Sequence, residues 1–124
     1  MKLLLDTQVM LWWLLGDTRL RPETRELIAS RPCVVSVASI WEVSIKHRLG
    51  KLPIYPAIFR DGCVAAGAAV IPISDAHVIE SGKLPSIHQD PFDRLLIAQA
   101  RIESYTAISS DAHWAEYELA LLRP

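Results

Sequence analysis

The chain alternates short apolar runs with longer stretches in which apolar and polar residues follow a helical spacing. Short runs rich in leucine, isoleucine and valine are typical of buried strands. The closing segment, LALLRP, predicts one further strand at a sheet edge. The four clearer strands are predicted at residues 3–5, 33–36, 69–73 and 105–109.

The stretches between these strands carry helix start and stop signals. Pro22 and Pro91 suit the first turn of a helix, because an N–H at that position would form no hydrogen bond within the helix. Gly16 and Gly50 follow the ends of two helices, where glycine is favoured. The predicted helices cover residues 8–15, 22–30, 39–49, 57–68, 75–81, 91–104 and 112–117.

Strands and helices alternate along the whole chain, which indicates right-handed βαβ units and a mostly parallel sheet with helices on both faces. We therefore predict a three-layer α/β/α fold with four to five strands. A length of 124 residues without a linker or low-complexity segment fits a single domain, residues 1–124.

Composition narrows the class of protein. A formal net charge of -1 and 22% charged residues argue against a disordered chain or a strongly basic nucleic-acid binder. Two isolated cysteines do not make a disulfide framework. The apolar start, MKLLLDTQ, is too short and too acidic for a signal peptide or a membrane span. We expect a cytoplasmic protein without membrane segments.

Acidic residues follow the predicted strands. Asp6 and Asp111 come just after the first and fourth strands, and Glu42 lies one turn into the helix after the second. Asp90 and Asp93 begin the helix that leads into the fourth strand. Because the carboxyl ends of parallel strands meet at one edge of a sheet, these side chains are candidates for one site.

Each acid also has a structural explanation. Asp90 precedes Pro91 as an N-cap would. Glu42 fits a capping box that begins at Ser39, or an ion pair with Lys46 four residues on. Asp111 and Asp75 could likewise cap the helices that follow them, as the repeated DAH tripeptide suggests.

Helical phase favours a site for two of the acids. Asp93 shares a helix face with Leu96 and Ile97, and Glu42 shares one with Ile45, so both lean toward the core. Two carboxylates about 5 Å apart repel by about 3 kcal/mol at an effective dielectric constant near 20. A bound cation or an uptake of protons would relieve that repulsion. The four histidines are scattered, so an oxygen-only ligand set predicts Mg²⁺ or Mn²⁺.

Four segments in this order, LLLDTQ, SIWEVSIKH, DPFDRLLIAQA and ISSDAHW, resemble the PIN-domain ribonucleases, and more narrowly the VapC-type toxins of toxin–antitoxin pairs. The resemblance runs from Asp6 to Trp114. It implies a PIN-like fold whose four metal-binding and catalytic acids are Asp6, Glu42, Asp93 and Asp111. Thr7 and Ser109 match hydroxyl residues beside these acids.

The resemblance implies an endoribonuclease that uses Mg²⁺, with Mn²⁺ as a substitute, to cut single-stranded or looped RNA. Thr7, Ser109 and Asp90 would orient ligands or waters. Lys46, Arg48 and Arg94 would touch RNA phosphates, unless they only form a solvated helix face.

Partners follow from the same resemblance and from one segment of the chain. A VapC-type toxin implies a cognate antitoxin protein. The run VMLWWLL is apolar on too many sides for a helix with one solvent-exposed face, which predicts burial against a second copy in a homodimer.

The alternative function is that of a non-catalytic RNA- or protein-binding module that retains the fold. A phosphatase with Asp-x-Asp after the first strand fits poorly, because Asp6 is followed by Thr7 and Gln8.

Overall fold

The computed structural model describes residues 1–124 and contains a five-stranded sheet in which every pair of neighbouring strands is parallel. The strand order is β3-β2-β1-β4-β5, with β1 at the centre. The strands are β1 (Leu3–Leu5), β2 (Cys33–Ser36), β3 (Ala69–Ile71), β4 (Thr106–Ile108) and β5 (Leu121–Leu122). Pro72 follows β3 directly, since proline cannot donate a hydrogen bond within a sheet.

Six α-helices and one 3₁₀ helix cover the two faces of the sheet. Successive residues of β1 point to opposite faces, so Leu3 and Leu5 join one apolar core while Leu4 joins the other. This confirms the predicted three-layer α/β/α arrangement. The helices are α1 (Thr7–Leu15), α2 (Pro22–Ser30), α3 (Val37–Arg48), α4 (Pro56–Ala65), α5 (Asp75–Lys83) and α6 (Pro91–Glu103), with the 3₁₀ helix at Ala112–Glu116.

The start of α3 differs from the prediction. Strand β2 runs into α3 without a loop, so its last residue, Ser36, is the N-cap and accepts a hydrogen bond from the Ala38 amide at 2.9 Å. Ser39 is already inside the helix and fully buried. The predicted capping box between Ser39 and Glu42 is therefore wrong, and both side chains are free for other contacts.

Helix α5 also has a different cap. Ser74 accepts a hydrogen bond from the His77 amide, and the His77 ring accepts one from the Ser74 amide in return. Asp75 is the first residue of the helix and not its cap.

The apolar run in α1 is explained by the chain itself. Val9, Met10, Leu11 and Trp12 are all buried in the core cluster on one side of the sheet. Within the run, only Leu15, at the end of the helix, is largely exposed, at 74%. Trp13 and Leu14 are only partly buried and Gln8 is exposed, so α1 still presents some surface to solvent. Packing of this run against a second copy stays a prediction. None of the helices has the length and apolar character needed to cross a membrane.

Candidate metal centre

One cavity of about 200 Å³ at the carboxyl edge of the sheet is lined by five carboxylates, those of Asp6, Glu42, Asp90, Asp93 and Asp111. Asp6 follows β1 and Asp111 follows β4, two strands that are neighbours in the sheet. Glu42 reaches the cavity from α3 and Asp93 from the first turn of α6. We call Asp6, Glu42, Asp93 and Asp111 the acid cluster. The structure brings together the four acids that the sequence singled out.

Asp6 is the most deeply buried member of the acid cluster, at 6% exposed. It caps α1, and its Oδ1 accepts a hydrogen bond of 2.7 Å from the Val9 amide. Burial raises its pKa to about 6, although hydrogen bonds from the Ser109 hydroxyl and Val9 lower it, and the charges of Glu42 and Asp111 raise it further. Asp6 therefore holds a proton more readily than a surface carboxylate does.

The pKa values of Asp93 and Asp111 are shifted in opposite directions. Burial raises the pKa of Asp93, and the negative charge of Asp90 adds to the effect. Burial opposes ionisation of Asp111 too, but hydrogen bonds from His113 and from protonated Asp93 bring its pKa below the ordinary value. Asp93 therefore holds a proton more readily than Asp111 does, and a bound cation would favour the ionised form of both.

Glu42 has both oxygens engaged. Its Oε1 accepts a hydrogen bond of 2.7 Å from the Thr7 hydroxyl, which is also hydrogen-bonded to Ser39 at 2.9 Å. Its Oε2 forms an ion pair of 2.8 Å with Lys46, one helical turn further on. The ion pair that the sequence spacing allowed is therefore present, and Lys46 itself lines the cavity.

Ser109 and Asp90, which were predicted to orient ligands, both lie beside the acid cluster. Ser109 is 2% exposed, and its hydroxyl touches Asp6 while accepting a hydrogen bond from the Asp111 amide at 3.1 Å. Asp90 caps α6 by accepting hydrogen bonds from the amides of Phe92 and Asp93, at 2.9 and 3.1 Å. Asp90 also lines the cavity, but its Oδ1 is committed to the helix.

The three cations expected to contact RNA have different surroundings. Lys46 lines the cavity, while Arg48 is exposed and does not. Arg94 differs from the expectation, because its guanidinium donates to four backbone carbonyls. Those carbonyls belong to Ser81, Leu84, Pro85 and His88, at 2.8 to 3.3 Å. Arg94 fixes the chain between α5 and α6 and has few donors left for a phosphate.

Two histidines that sequence reasoning set aside lie against the acid cluster. Nε2 of His88 is 3.6 Å from Oδ2 of Asp93, and Nδ1 of His113 is 2.9 Å from Oδ1 of Asp111. One donor atom each from His88, Asp93 and Asp111 lie within 4.8 Å of one another. Nitrogen donors therefore stand beside the carboxylates, and the oxygen-only ligand set stays a prediction. His88 was missed because it stands in a loop, where no periodicity signals which way a side chain faces.

Comparison with known proteins agrees with this architecture. A family model described as the PIN domain matches residues 3–119. The chain belongs to the PIN-domain family. A comparison with curated protein sequences gives no match.

Solved structures share this PIN fold over nearly their whole length. A chain of VapBC2 from Rickettsia felis, bound to a promoter DNA fragment, has a TM-score of 0.73 and 15% identity, covering 99% of this chain and 98% of that one. DNA-bound VapBC from Salmonella typhimurium has a TM-score of 0.71, 15% identity and the same coverage. VapC20 of Mycobacterium tuberculosis, described as a sarcin–ricin loop cleaving toxin, has a TM-score of 0.60 and 16% identity over 98% of this chain and 99% of that chain.

The donors of this PIN domain suit a divalent cation. Carboxylate oxygens are the ligands that Mg²⁺ and Mn²⁺ prefer, and the acid cluster presents four carboxylates to one cavity. Burial first, and then neighbouring negative charges, raise the pKa of Asp6 and of Asp93, so uncompensated negative charge is unfavourable in the cluster. Both observations fit a metal centre.

Proposed function

We propose that this PIN-domain protein is a Mg²⁺-dependent endoribonuclease, with Mn²⁺ as a substitute, that acts as the toxin of a toxin–antitoxin pair. The observation that carries the proposal is the convergence of the acid cluster on one cavity, where burial and neighbouring negative charges raise the pKa of Asp6 and of Asp93. Phosphoryl transfer commonly uses a carboxylate-held divalent ion of this kind.

Asp6, Glu42 and Asp93 would hold the metal, with Asp111 beside them. When bound, the metal supplies an activated water and neutralises charge on the scissile phosphate. In-line attack of water on phosphorus, with departure of the 3′ oxygen, would give a 5′-phosphate and a 3′-hydroxyl. The chain's own part is to fix the donors: the Val9 amide and Ser109 hold Asp6, while Thr7 holds Glu42.

Lys46 gives the cavity a positive charge of its own. Its ammonium lies 2.8 Å from Glu42 and its side chain is 46% exposed, so it can turn from the carboxylate to an entering phosphate. We propose that Lys46, and more peripherally Arg48, contact the RNA backbone. Single-stranded or looped RNA is the proposed substrate, in keeping with the loop-cleaving activity named for VapC20.

We propose two protein partners. The VapBC complexes among the similar structures support a cognate antitoxin. Exposed apolar side chains, among them Trp41 at 50%, Ile58 at 60% and Ile79 at 57%, support further burial in a complex or a homodimer. Light scattering on the isolated protein tests the homodimer, and a strictly monomeric species would contradict it. The proposed compartment is the cytoplasm.

The test is cleavage of a labelled mixed RNA pool by protein purified free of any partner, with Mg²⁺ or with EDTA. We expect cuts that need Mg²⁺ and that disappear in Asp93→Asn. Asp61→Asn is the matched control, because Asp61 is an exposed surface acid paired only with Arg60. Cleavage that survives EDTA, or that Asp93→Asn retains, would contradict the proposal.

One observation favours the alternative of a non-catalytic binding module. Both oxygens of Glu42 are satisfied by Thr7 and Lys46, so a metal must compete with an existing ion pair for this ligand. A folded protein that binds Mg²⁺ and RNA without cutting any member of the pool would establish this alternative.

A further inference from the structure

His88 has one ring nitrogen satisfied and one without a partner. Nδ1 lies 2.8 Å from the hydroxyl of Tyr117, at hydrogen-bond distance. Nε2 is buried and has no hydrogen-bond partner, and its closest charged neighbour, Oδ2 of Asp93, is 3.6 Å away. A buried polar atom without a partner is rare in proteins and requires an explanation.

The surroundings of His88 hold its ring in place. The side chain of His88 is 12% exposed, and Tyr117, which bonds Nδ1, is only 4% exposed. When Nδ1 donates its proton to the Tyr117 oxygen, Nε2 presents a lone pair toward Asp93 and Asp111. A histidine that binds a metal through one ring nitrogen usually donates the N–H of the other ring nitrogen to a fixed acceptor.

The donor atoms around Nε2 are close enough to share an ion. His88, Asp93 and Asp111 each offer one donor, and these three atoms lie within 4.8 Å of one another. Oδ1 of Asp111 is occupied by the amide and ring of His113, which leaves Oδ2 for a further ligand. The ring of His113 is no substitute for His88, since its Nδ1 is already bonded to Asp111 and its side chain is 56% exposed.

We propose that Nε2 of His88 is a metal ligand, together with Asp93 and Asp111, at a nitrogen–oxygen position that favours a first-row transition-metal ion over Mg²⁺. Imidazole suits such ions, whereas Mg²⁺ is held by oxygens. Asp6 and Glu42, which line the same cavity as Asp93, offer oxygens alone. The centre then has two positions of different chemistry that share Asp93. This inference rests on the proposed function for the metal-binding role of the acid cluster.

The test is Mn²⁺ binding followed by EPR, with pulsed EPR to detect an imidazole nitrogen coordinated to the ion. We expect nitrogen coupling in the wild type and in His113→Asn. His88→Asn keeps a nitrogen near the place of Nδ1 for Tyr117 but has no donor at Nε2. It should lose the coupling and weaken Mn²⁺ binding about 10-fold or more, with a smaller change for Mg²⁺.

His47→Asn is the matched control for Mn²⁺ affinity, because the ring of His47 bonds the Leu52 carbonyl and does not itself line the cavity. Absence of Mn²⁺ binding, bound Mn²⁺ without nitrogen coupling, or coupling that survives in folded His88→Asn would overturn the inference. If His88→Asn does not fold, the test is whether nitrogen coupling is present in the wild type and persists in His113→Asn. Its absence from either protein would overturn the inference. RNA cleavage without nitrogen coupling would overturn the inference about His88 and support the nuclease. Nitrogen coupling without RNA cleavage would support His88 as a ligand and contradict the nuclease.

Discussion

The hydroxyl of Thr7 donates a hydrogen bond of 2.7 Å to Oε1 of Glu42, although the two residues stand 35 positions apart in the sequence. Thr7 directly follows Asp6, and Glu42 is the acid that α3 contributes to the acid cluster. The bond therefore fixes the relative placement of two members of the acid cluster that come from different βαβ units. Loss of this one hydroxyl should disturb the site more than the fold.

Thr7→Val keeps the shape of the side chain and removes the donor. We expect kcat/KM for RNA cleavage to fall by roughly 10- to 100-fold, as for other groups that orient a ligand, with a loss of about 1 kcal/mol in stability. Kinetics and thermal unfolding check both values. Thr18→Val, at an exposed threonine, is the control, and an equal loss of activity in both variants would contradict this role.

Without metal, Asp6 should make the protein less stable as the pH rises. The folded protein holds a proton on Asp6 up to about pH 6, whereas the unfolded chain releases it near 3.8. Between these values the folded state binds more protons, so the free energy of unfolding falls with rising pH, by up to about 3 kcal/mol in total. The high pKa of Asp93 extends the decline upward.

Asp6→Asn removes the charge and keeps an acceptor for the Val9 amide. In EDTA we expect this variant to melt at a higher temperature than the wild type at pH 8, and at about the same temperature at pH 4. Thermal unfolding across that range measures the difference. A variant less stable than the wild type at pH 8 would show that the ionised carboxylate is well accommodated without metal.

Asp90 and Asp93 begin the same helix but should respond differently to substitution. Asp90→Asn preserves the acceptor for the amides of Phe92 and Asp93, so it should retain most activity and stability. Asp90→Ala loses the cap and should cost about 1 kcal/mol in stability. Asp93→Asn should abolish cleavage while leaving the protein folded. Equal loss of cleavage in Asp90→Asn and Asp93→Asn would show that Asp90 also takes part in the chemistry.

Lys46 competes with a metal ion for Glu42. In Lys46→Gln we expect Mg²⁺ to bind a few-fold more tightly, because Oε2 of Glu42 loses its cationic partner. RNA binding should weaken, because the cavity loses its own positive charge. Calorimetry with Mg²⁺ and a binding assay with RNA measure the two effects. Lys51→Gln, at an exposed lysine beyond α3, should change neither.

The sequence was sufficient where local pattern determines structure. The apolar runs at 3–5 and 33–36 became β1 and β2, and the helical phase of Asp93 correctly placed it toward the sheet edge. It was insufficient where tertiary contacts decide. Ser36 and not Ser39 caps α3 because β2 continues directly into the helix. The direction of the His88 ring depends on Tyr117, which lies 29 positions away, and no local pattern contains that pairing.

The four carbonyl contacts of Arg94 have a consequence for how variants of this protein will behave. Arg94 adjoins Asp93 in α6, and its guanidinium joins the end of α5 to the backbone of His88. The spacing between His88 and Asp93 is therefore maintained by a neighbour that donates to neither side chain. A variant of Arg94 that was selected for lost activity would resemble a substitution of a metal-binding residue in every kinetic assay. Its actual defect would be a displaced loop between α5 and α6.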